Sequence, residues 1–291
     1  MNKQTTVKEM VAQLSDGMTI GIGGWGPRRK PMALIREILR SDLKDLTIVA
    51  YGGADVGMLC AAGKVKKVIF AFVSLDFIPL EPYFRQARQS GSIEVTEIDE
   101  GMMLLGLRAA AWGCPYIPTA IGLGTDVIKF NTDIKVIDSP YDDKEWVAMP
   151  ALKLDAALVH VDRADERGVC QIKGPDHYMD DWFVRAADKA YVTCDELVTT
   201  DYFYNEEETR YVFWERSQTT AVAVVAGGAH PTSCAPLYGF DTKHFNEYNA
   251  SAKEGGFQAY FEKFIKDSNE SEYQKKVGGL DAIRQLALPV Y

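Results

Sequence analysis

A chain of 291 residues, 47% hydrophobic and 25% charged, has the composition of an ordinary globular protein with enough apolar content for a sizeable core. Its formal net charge of −9 argues against general nucleic-acid binding, which needs a basic face to displace counterions, but not against a small anion held by a local basic cluster.

The first stretch, MNKQTTVKEMVAQL, is too polar and amphipathic for a signal peptide, and no apolar run reaches the roughly 18 residues of a membrane span. The expectation is a cytoplasmic protein that uses no membrane. Val7, Met10, Val11 and Leu14 fall on one helical face, and Asp16-Gly17 ends that helix. MTIGI (18–22) reads as a buried strand, and after GGWGPRRKP a helix runs from about Pro31 to Arg40. LTIVA (46–50), KVIFAFV (67–73) and IEVTEI (93–98) repeat the strand signal at intervals long enough for helical crossovers. DSPYDDKEW (138–146) is polar and turn-rich, a break between two lobes. Strands resume at DAALVHV (155–161), KAYVTCDEL (189–197) and TAVAVV (220–225). From about 240 to 291 aromatic residues recur at helical spacing, as in helices packed on the outside. The class is α/β, a mostly parallel sheet with helices on both faces, in a single domain over 1–291.

GIGGWG (21–26) matches G-x-G-x-x-G, but the context is wrong for a dinucleotide. The helix is delayed by Pro27-Arg28-Arg29-Lys30-Pro31, and the next strand ends Ala50-Tyr51-Gly52-Gly53 without a ribose-binding acid. Bare backbone at Gly23 and Gly24 still admits close approach of a ligand and offers N–H groups to anions. Arg28, Arg29 and Lys30 follow at once. They suit a polyanionic or acyl ligand, or else they are solvated residues of a tight turn.

TEIDEGMMLLGLRAAAWG (96–113) sets three acids against an apolar helix whose only charge is Arg108. Such a helix should be buried, and after a parallel strand it starts at the ligand-binding edge of the sheet. Asp99 occupies a natural N-cap position. Glu100 has no capping duty. It is either a surface acid or an anion favoured by the helix dipole and available as base or nucleophile.

There is no GxSxG elbow, no HExxH and no Walker A motif. Cys60, Cys114, Cys170, Cys194 and Cys234 are odd in number and lack a CxxC pair, so they read as reduced thiols. The four histidines lack metal-ligand spacing, and no metal is expected. His160, at a strand end, reads as a satisfied histidine. His230, in GGAHP (227–231), is a candidate for lining a site. DRADERG (162–168) reads as a solvated hairpin turn.

DGMTIGIGGWGPRRKP, YGGADVGMLCAAGKVKKV, GLRAAAWGCPYIPTAIGLGTDV, VAMPALKLDAALVHVDRADERGVCQI and AGGAHPTSCAPLYGFD resemble the α subunit of class I CoA-transferases, glutaconate CoA-transferase in particular, over about residues 5–275. The resemblance implies the CoA-transferase (NagB/RpiA-like) fold and a β-subunit partner, usually in an α2β2 assembly with active sites between the subunits. It implies an acyl pocket bordered by Gly23-Gly24-Trp25 and a coenzyme A thioester as substrate, with no permanently bound cofactor. Gly122 and Gly124 join Arg28, Arg29 and Lys30 among the substrate- and CoA-binding candidates. In the transferases the glutamate that carries the acyl group belongs to the β subunit, so this chain would hold no nucleophile. GGWGPRRKPMALIREILRSDLKDLT, FVSLD (72–76) and DEGM (99–102) are also similar to a subgroup of bacterial steroid catabolism that hydrolyses a ring carbon–carbon bond of a CoA thioester. Its catalytic glutamate maps onto Glu100, whereas a basic residue expected before GLG is replaced by Ala120. The first expectation is CoA transfer between carboxylic acids. The second is C–C hydrolysis with Glu100 as base, and the third is a protein that only completes a partner's pocket.

Overall fold

The computed structural model describes residues 2–253 and 256–288. The first part runs α1 (Val7–Val11), β1 (Thr19–Trp25), α2 (Met32–Arg40), β2 (Leu46–Gly52), α3 (Ala54–Ala61), β3 (Val65–Val73), α4 (Pro82–Ser90), β4 (Glu94–Glu97) and α5 (Glu100–Ala111). Then come β5 (Tyr116–Thr119), α6 (Asp126–Phe130), β6 (Lys135–Asp138) and β7 (Glu145–Pro150). The chain continues through β8 (Leu154–Asp165), β9 (Cys170–Gln171), α7 (Asp180–Ala186), β10 (Ala187–Val198), α8 (Glu206–Thr209) and β11 (Ala221–Val224). It closes with α9 (Thr242–Ser251), α10 (Phe257–Phe264), α11 (Glu270–Lys276) and α12 (Leu280–Arg284).

The main sheet has the order β11-β10-β8-β1-β2-β3-β4 with every neighbouring pair parallel, and β9 folds back antiparallel on β8. The chain leaves β1 toward β2, β3 and β4, then returns to its other side through β8. The order therefore reverses beside β1, and open α/β sheets bind ligands in the crevice at the carboxyl ends of strands around such a point. Alternation of side chains along each strand feeds two cores. Ile48 and Ala50 of β2 face a layer containing α2, α3 and the aromatic residues Phe245, Tyr248, Tyr260 and Tyr273. Val49 and Tyr51 face α5, α7 and the small sheet through Met102, Leu107, Val147 and Phe183. The C-terminal aromatics are thus half of a core rather than a coat over it. Residues 254–255 and 289–291 of the expected C-terminal helical part lie outside the described residues.

Three sequence expectations need correction. The polar stretch 138–146 joins β6 to β7 inside a second, antiparallel sheet of order β5-β7-β6, so it turns a hairpin and does not divide two lobes. DRADERG does turn between β8 and β9, but Asp162 and Asp165 are buried, not solvated. The Asp165 carboxylate accepts hydrogen bonds from the N–H groups of Arg167 and Val169 and from the Thr200 hydroxyl, tying the turn together. Helix α5 is buried along Met102, Met103, Gly106, Leu107 and Ala109 only. Its other side, with Leu104, Leu105, Arg108 and Ala111, is half-buried, because α7 reaches it only in part, through Trp182 against Arg108. Among the described residues no helix is long and apolar enough to cross a membrane.

Candidate active site

The register of β1 against β2 breaks between Ile22 and Trp25, where the chain turns sharply. Trp25 and Arg28 exchange backbone hydrogen bonds of 2.9 Å, and the Gly26 N–H reaches the Tyr51 carbonyl at 3.2 Å. Gly24 has φ +74°, and a Cβ there would lie 2.5 Å from the Arg28 carbonyl oxygen and 2.6 Å from that of Arg29. A side chain at this point would strike the turn itself. At Gly23 a Cβ would meet Asp180 Oδ1 at 2.5 Å. These glycines answer to packing within the chain, and the N–H groups of Gly24, Trp25 and Gly26 are already spent on internal acceptors. The loop is not an open anion cradle.

What the loop presents is an aromatic wall. The Trp25 indole stacks on Tyr51 with centroids 4.8 Å apart and 16° between planes. Phe72 stands 4.9 Å away and Tyr178 6.4 Å away. Trp25 and Phe72 are half-buried, so the wall is open on one side.

The basic trio divides. Arg28 pairs with Asp76, beyond the end of β3, and remains partly exposed. Arg29 is 2% exposed and Lys30 0%, so neither faces a ligand, contrary to the sequence expectation. Arg29 pairs with Asp180 at 3.0 Å and donates to the Asp176 carbonyl at 2.8 Å. Burial alone would lower the Arg29 pKa, but the charges of Asp180 and Asp162 outweigh it and raise it, so the guanidinium stays ionised. Lys30 pairs with Asp55 at 3.2 Å, and that carboxylate accepts the Gly53 N–H at 2.7 Å. The Gly24 peptide is held from both sides: Asp180 accepts its N–H at 2.7 Å and Lys30 reaches its carbonyl at 3.4 Å. Both cations hold the loop from behind.

Glu100 opens α5. Asp99 is the N-cap, its carboxylate accepting the Gly101 N–H at 2.7 Å, which leaves Glu100 without a capping role. The Tyr51 hydroxyl donates to the Glu100 carbonyl at 2.8 Å and so fastens the first turn of α5 to the end of β2, beside Trp25. The loop holding Gly122 (φ +91°) and Gly124 (φ +73°) abuts the same turn, with Ile121 Cδ1 2.7 Å from where a Gly101 Cβ would stand. The Glu100 side chain is exposed, and among the described residues its carboxylate has no hydrogen bond or ion pair. Partial desolvation by burial, then the charge of Asp99, push its pKa above the ordinary carboxylate value. A carboxylate without a partner among the described residues, raised in basicity and carried by a helix turn that Tyr51 fastens beside Trp25, has the attributes of a general base.

The structure therefore gathers Gly23, Gly24, Trp25, Arg28, Glu100, Gly122 and Gly124 around one end of the sheet and leaves Arg29 and Lys30 behind it. Sequence reasoning missed Tyr51, Phe72, Tyr178, Asp55 and Asp180. The available signal was an aromatic residue directly before Gly52-Gly53 at a strand end. His230 does not line the site. It is buried between the Tyr273 hydroxyl at 2.7 Å and Asp241 at 3.2 Å. His160 is a satisfied core histidine, bonded to Thr193 and Asp195 at 2.8 Å each. Cys234 lies near that pair, but its thiol donates to Asp162 at 3.2 Å, so the trio's polar atoms are used within the chain.

Comparison with known proteins agrees with this architecture. Residues 4–216 match the family model for coenzyme A transferase. The chain is 42% identical to the IpdA chain of the cholesterol ring-cleaving hydrolase of Mycobacterium tuberculosis H37Rv, covering 97% of this chain and 99% of that one. It is 27% identical to one of the subunits of glutaconate CoA-transferase from Acidaminococcus fermentans, covering 99% and 96%. The crystal structure of that organism's glutaconate coenzyme A-transferase superposes with a TM-score of 0.90 at 26% identity, over 99% of this chain and 96% of that one. A variant of the decarboxylase AibA/AibB follows with a TM-score of 0.81 at 26% identity, over 90% and 98%. With a family model spanning most of the chain and full-length relatives on either side of it, the chain belongs to the coenzyme A transferase family, among its α subunits.

Proposed function

We propose that this chain is the acid-bearing half of a heteromeric hydrolase that opens a carbon–carbon bond in the ring of a cyclic keto acyl-CoA, with Glu100 as general base. The observation that carries the reading is the Glu100 carboxylate, unpaired among the described residues and raised in pKa, on a residue whose main-chain carbonyl is fastened to Tyr51 behind Trp25. The 42% identity to a chain of a ring-cleaving hydrolase, against 27% to a chain of a transferase, supports it.

In the proposed reaction Glu100 takes a proton from water as the water oxygen adds to the ring carbonyl. The tetrahedral alkoxide collapses and the adjacent ring bond breaks. Its electron pair passes to the carbon next to a second carbonyl as an enolate, and the proton held by Glu100 is delivered there. One water is consumed, and a carboxylic acid and a new C–H bond are formed. Trp25 and Phe72, half-buried with their rings inclined at 57°, offer an apolar corner for the ring, and the buried Tyr51 backs Trp25 and holds Glu100 in place through its main-chain carbonyl. The exposed side of this pocket is where a β subunit completes the site, in an α2β2 assembly like that of the family. CoA transfer, with a nucleophilic glutamate from the β subunit, is the second reading, favoured by the TM-score of 0.90 to a transferase.

The test uses the chain co-purified with its β subunit. Cyclic 3-keto acyl-CoA thioesters are incubated with and without acetate, and the products are weighed by mass spectrometry. Ring opening adds one water without acetate, and Glu100→Gln slows it by about 10²–10⁴-fold. Acetyl-CoA formation that survives Glu100→Gln would instead establish transfer.

A further inference from the structure

Positions 100, 104, 108 and 112 share one face of α5. On that face Glu100 and Trp112 are exposed, and Leu104 and Arg108 are half-buried. The Arg108 guanidinium lies over the Trp182 ring of α7 at 4.7 Å, and Trp112 meets the same ring edge-on at 5.8 Å. Among the described residues Arg108 makes no hydrogen bond and no ion pair, and its Nε is buried without a partner. This sets it apart. The other arginines withdrawn from solvent all have acids: Arg28 has Asp76, Arg29 Asp180, Arg36 Glu270, Arg40 Glu37, Arg163 Glu196 and Arg185 Glu215.

A guanidinium cannot discharge by losing its proton, and a polar group taken out of water without a partner is a standing cost. Stacking on Trp182 offsets part of that cost but satisfies no N–H. The eight-residue step from Glu100 to Arg108 spans ~12 Å of helix, and a helical side chain leans toward the N-terminus, here toward Glu100. Both charges act on the Tyr51 phenol. There burial, Glu100 and Asp99 raise the pKa, and Arg108 opposes them.

We infer that Arg108 binds a free carboxylate on the acyl portion of the substrate and so selects acyl-CoA thioesters that carry a second acid group. The planar fork of a guanidinium matches a carboxylate with two parallel hydrogen bonds. Its surroundings, Leu104, Trp112 and Trp182, suit an acyl chain better than the hydrated phosphates of the nucleotide. The inference rests on the acyl-CoA reading of the Glu100 pocket.

Binding of glutaryl-CoA and valeryl-CoA to the intact heteromer, measured by calorimetry, tests it without requiring turnover. The parent should bind glutaryl-CoA more tightly. Arg108→Gln should lose about 10- to 100-fold in affinity for glutaryl-CoA, the worth of a charge-assisted hydrogen bond, with valeryl-CoA little changed. Arg108→Lys should restore part of the preference, whereas Arg108→Met, which keeps an apolar stem over Trp182, should not. Equal losses for both thioesters, or an assembly that dissociates on gel filtration, would assign Arg108 to the nucleotide phosphates or the subunit interface and overturn the inference. A parent that binds both thioesters alike would overturn it as well. If neither thioester binds the parent, the acyl-CoA reading falls and this inference with it.

Discussion

Gly24→Ala isolates the demand that the turn after β1 places on one residue. Holding a non-glycine residue at φ +74° costs about 1–2 kcal/mol. The new methyl would also stand 2.5 and 2.6 Å from the carbonyl oxygens of Arg28 and Arg29. Those oxygens belong to a backbone fixed by the Arg28 N–H to Trp25 bond at 2.9 Å and the Arg29 N–H to Ser233 bond at 2.6 Å. Relief therefore means opening the turn, an overpacking cost of about 1–3 kcal/mol. The total of about 2–5 kcal/mol corresponds to a Tm lowered by roughly 3–8 °C in a chain of this size. Gly63→Ala is the control, because Gly63 has φ +67° with nothing within 4 Å and should show the conformational part alone. Melting curves of the heteromer would be compared with its kcat on the accepted thioester. As Trp25 is carried by the same turn, a displacement of about 1 Å should lower kcat on the order of 10²-fold. If Gly24→Ala melted with Gly63→Ala and kept parent activity, the argument from the turn would be wrong.

Glu100→Gln should lower kcat by about 10²–10⁴-fold, the usual range for a lost general base, while Tm stays near the parent's because the Asp99 cap is untouched; a variant within a few-fold of parent would remove Glu100 from the chemistry. Lys30→Met should cost about 3–5 kcal/mol in urea unfolding, since Asp55 is left charged in a buried site, and adding Asp55→Asn should recover part of it. His244 is buried against the Tyr260 hydroxyl, and burial first, then the charge of His230, lower its pKa from 6.5 to about 3. The unfolded chain then binds the extra proton between these values, so this contribution to stability is complete above pH ~6.5 and drains away as pH falls toward ~3. Urea midpoints at pH 7 and pH 5 should diverge more in the parent than in His244→Phe, and equal divergence would refute the assignment.

The parallel strands and crossovers were legible because each is a run of apolar, often β-branched residues bounded by turns. The small sheet was not. β5 is four residues with Pro118 inside it, and the polar hairpin between β6 and β7 reads locally like a linker. Asp99 was legible as a cap, because capping is decided within three residues. The fate of the basic trio was not, because Asp180 approaches Arg29 from 151 residues away, a pairing that only the closed sheet creates. Glu100 was legible as an acid without structural duty, whereas its neighbour Tyr51 comes from a different strand. The half-buried state of one side of α5 also escaped, since apolar composition does not say how far a neighbouring helix reaches over it.

The clamp on Gly24 has a consequence for biosynthesis. The loop emerges from the ribosome early, but the carboxylate that accepts its N–H belongs to Asp180, and the carbonyl that accepts the Arg29 N–H belongs to Ser233. Closing such distant contacts waits on the entropy of a long intervening loop. Until residue 233 has been translated, Arg29 and Gly24 lack their partners. A nascent chain stalled short of that point carries the β1, β2 and β3 sequences without a finished pocket. The edge that carries the candidate site is thus among the last parts of the molecule to become itself, and its completion reports that both halves of the main sheet have met.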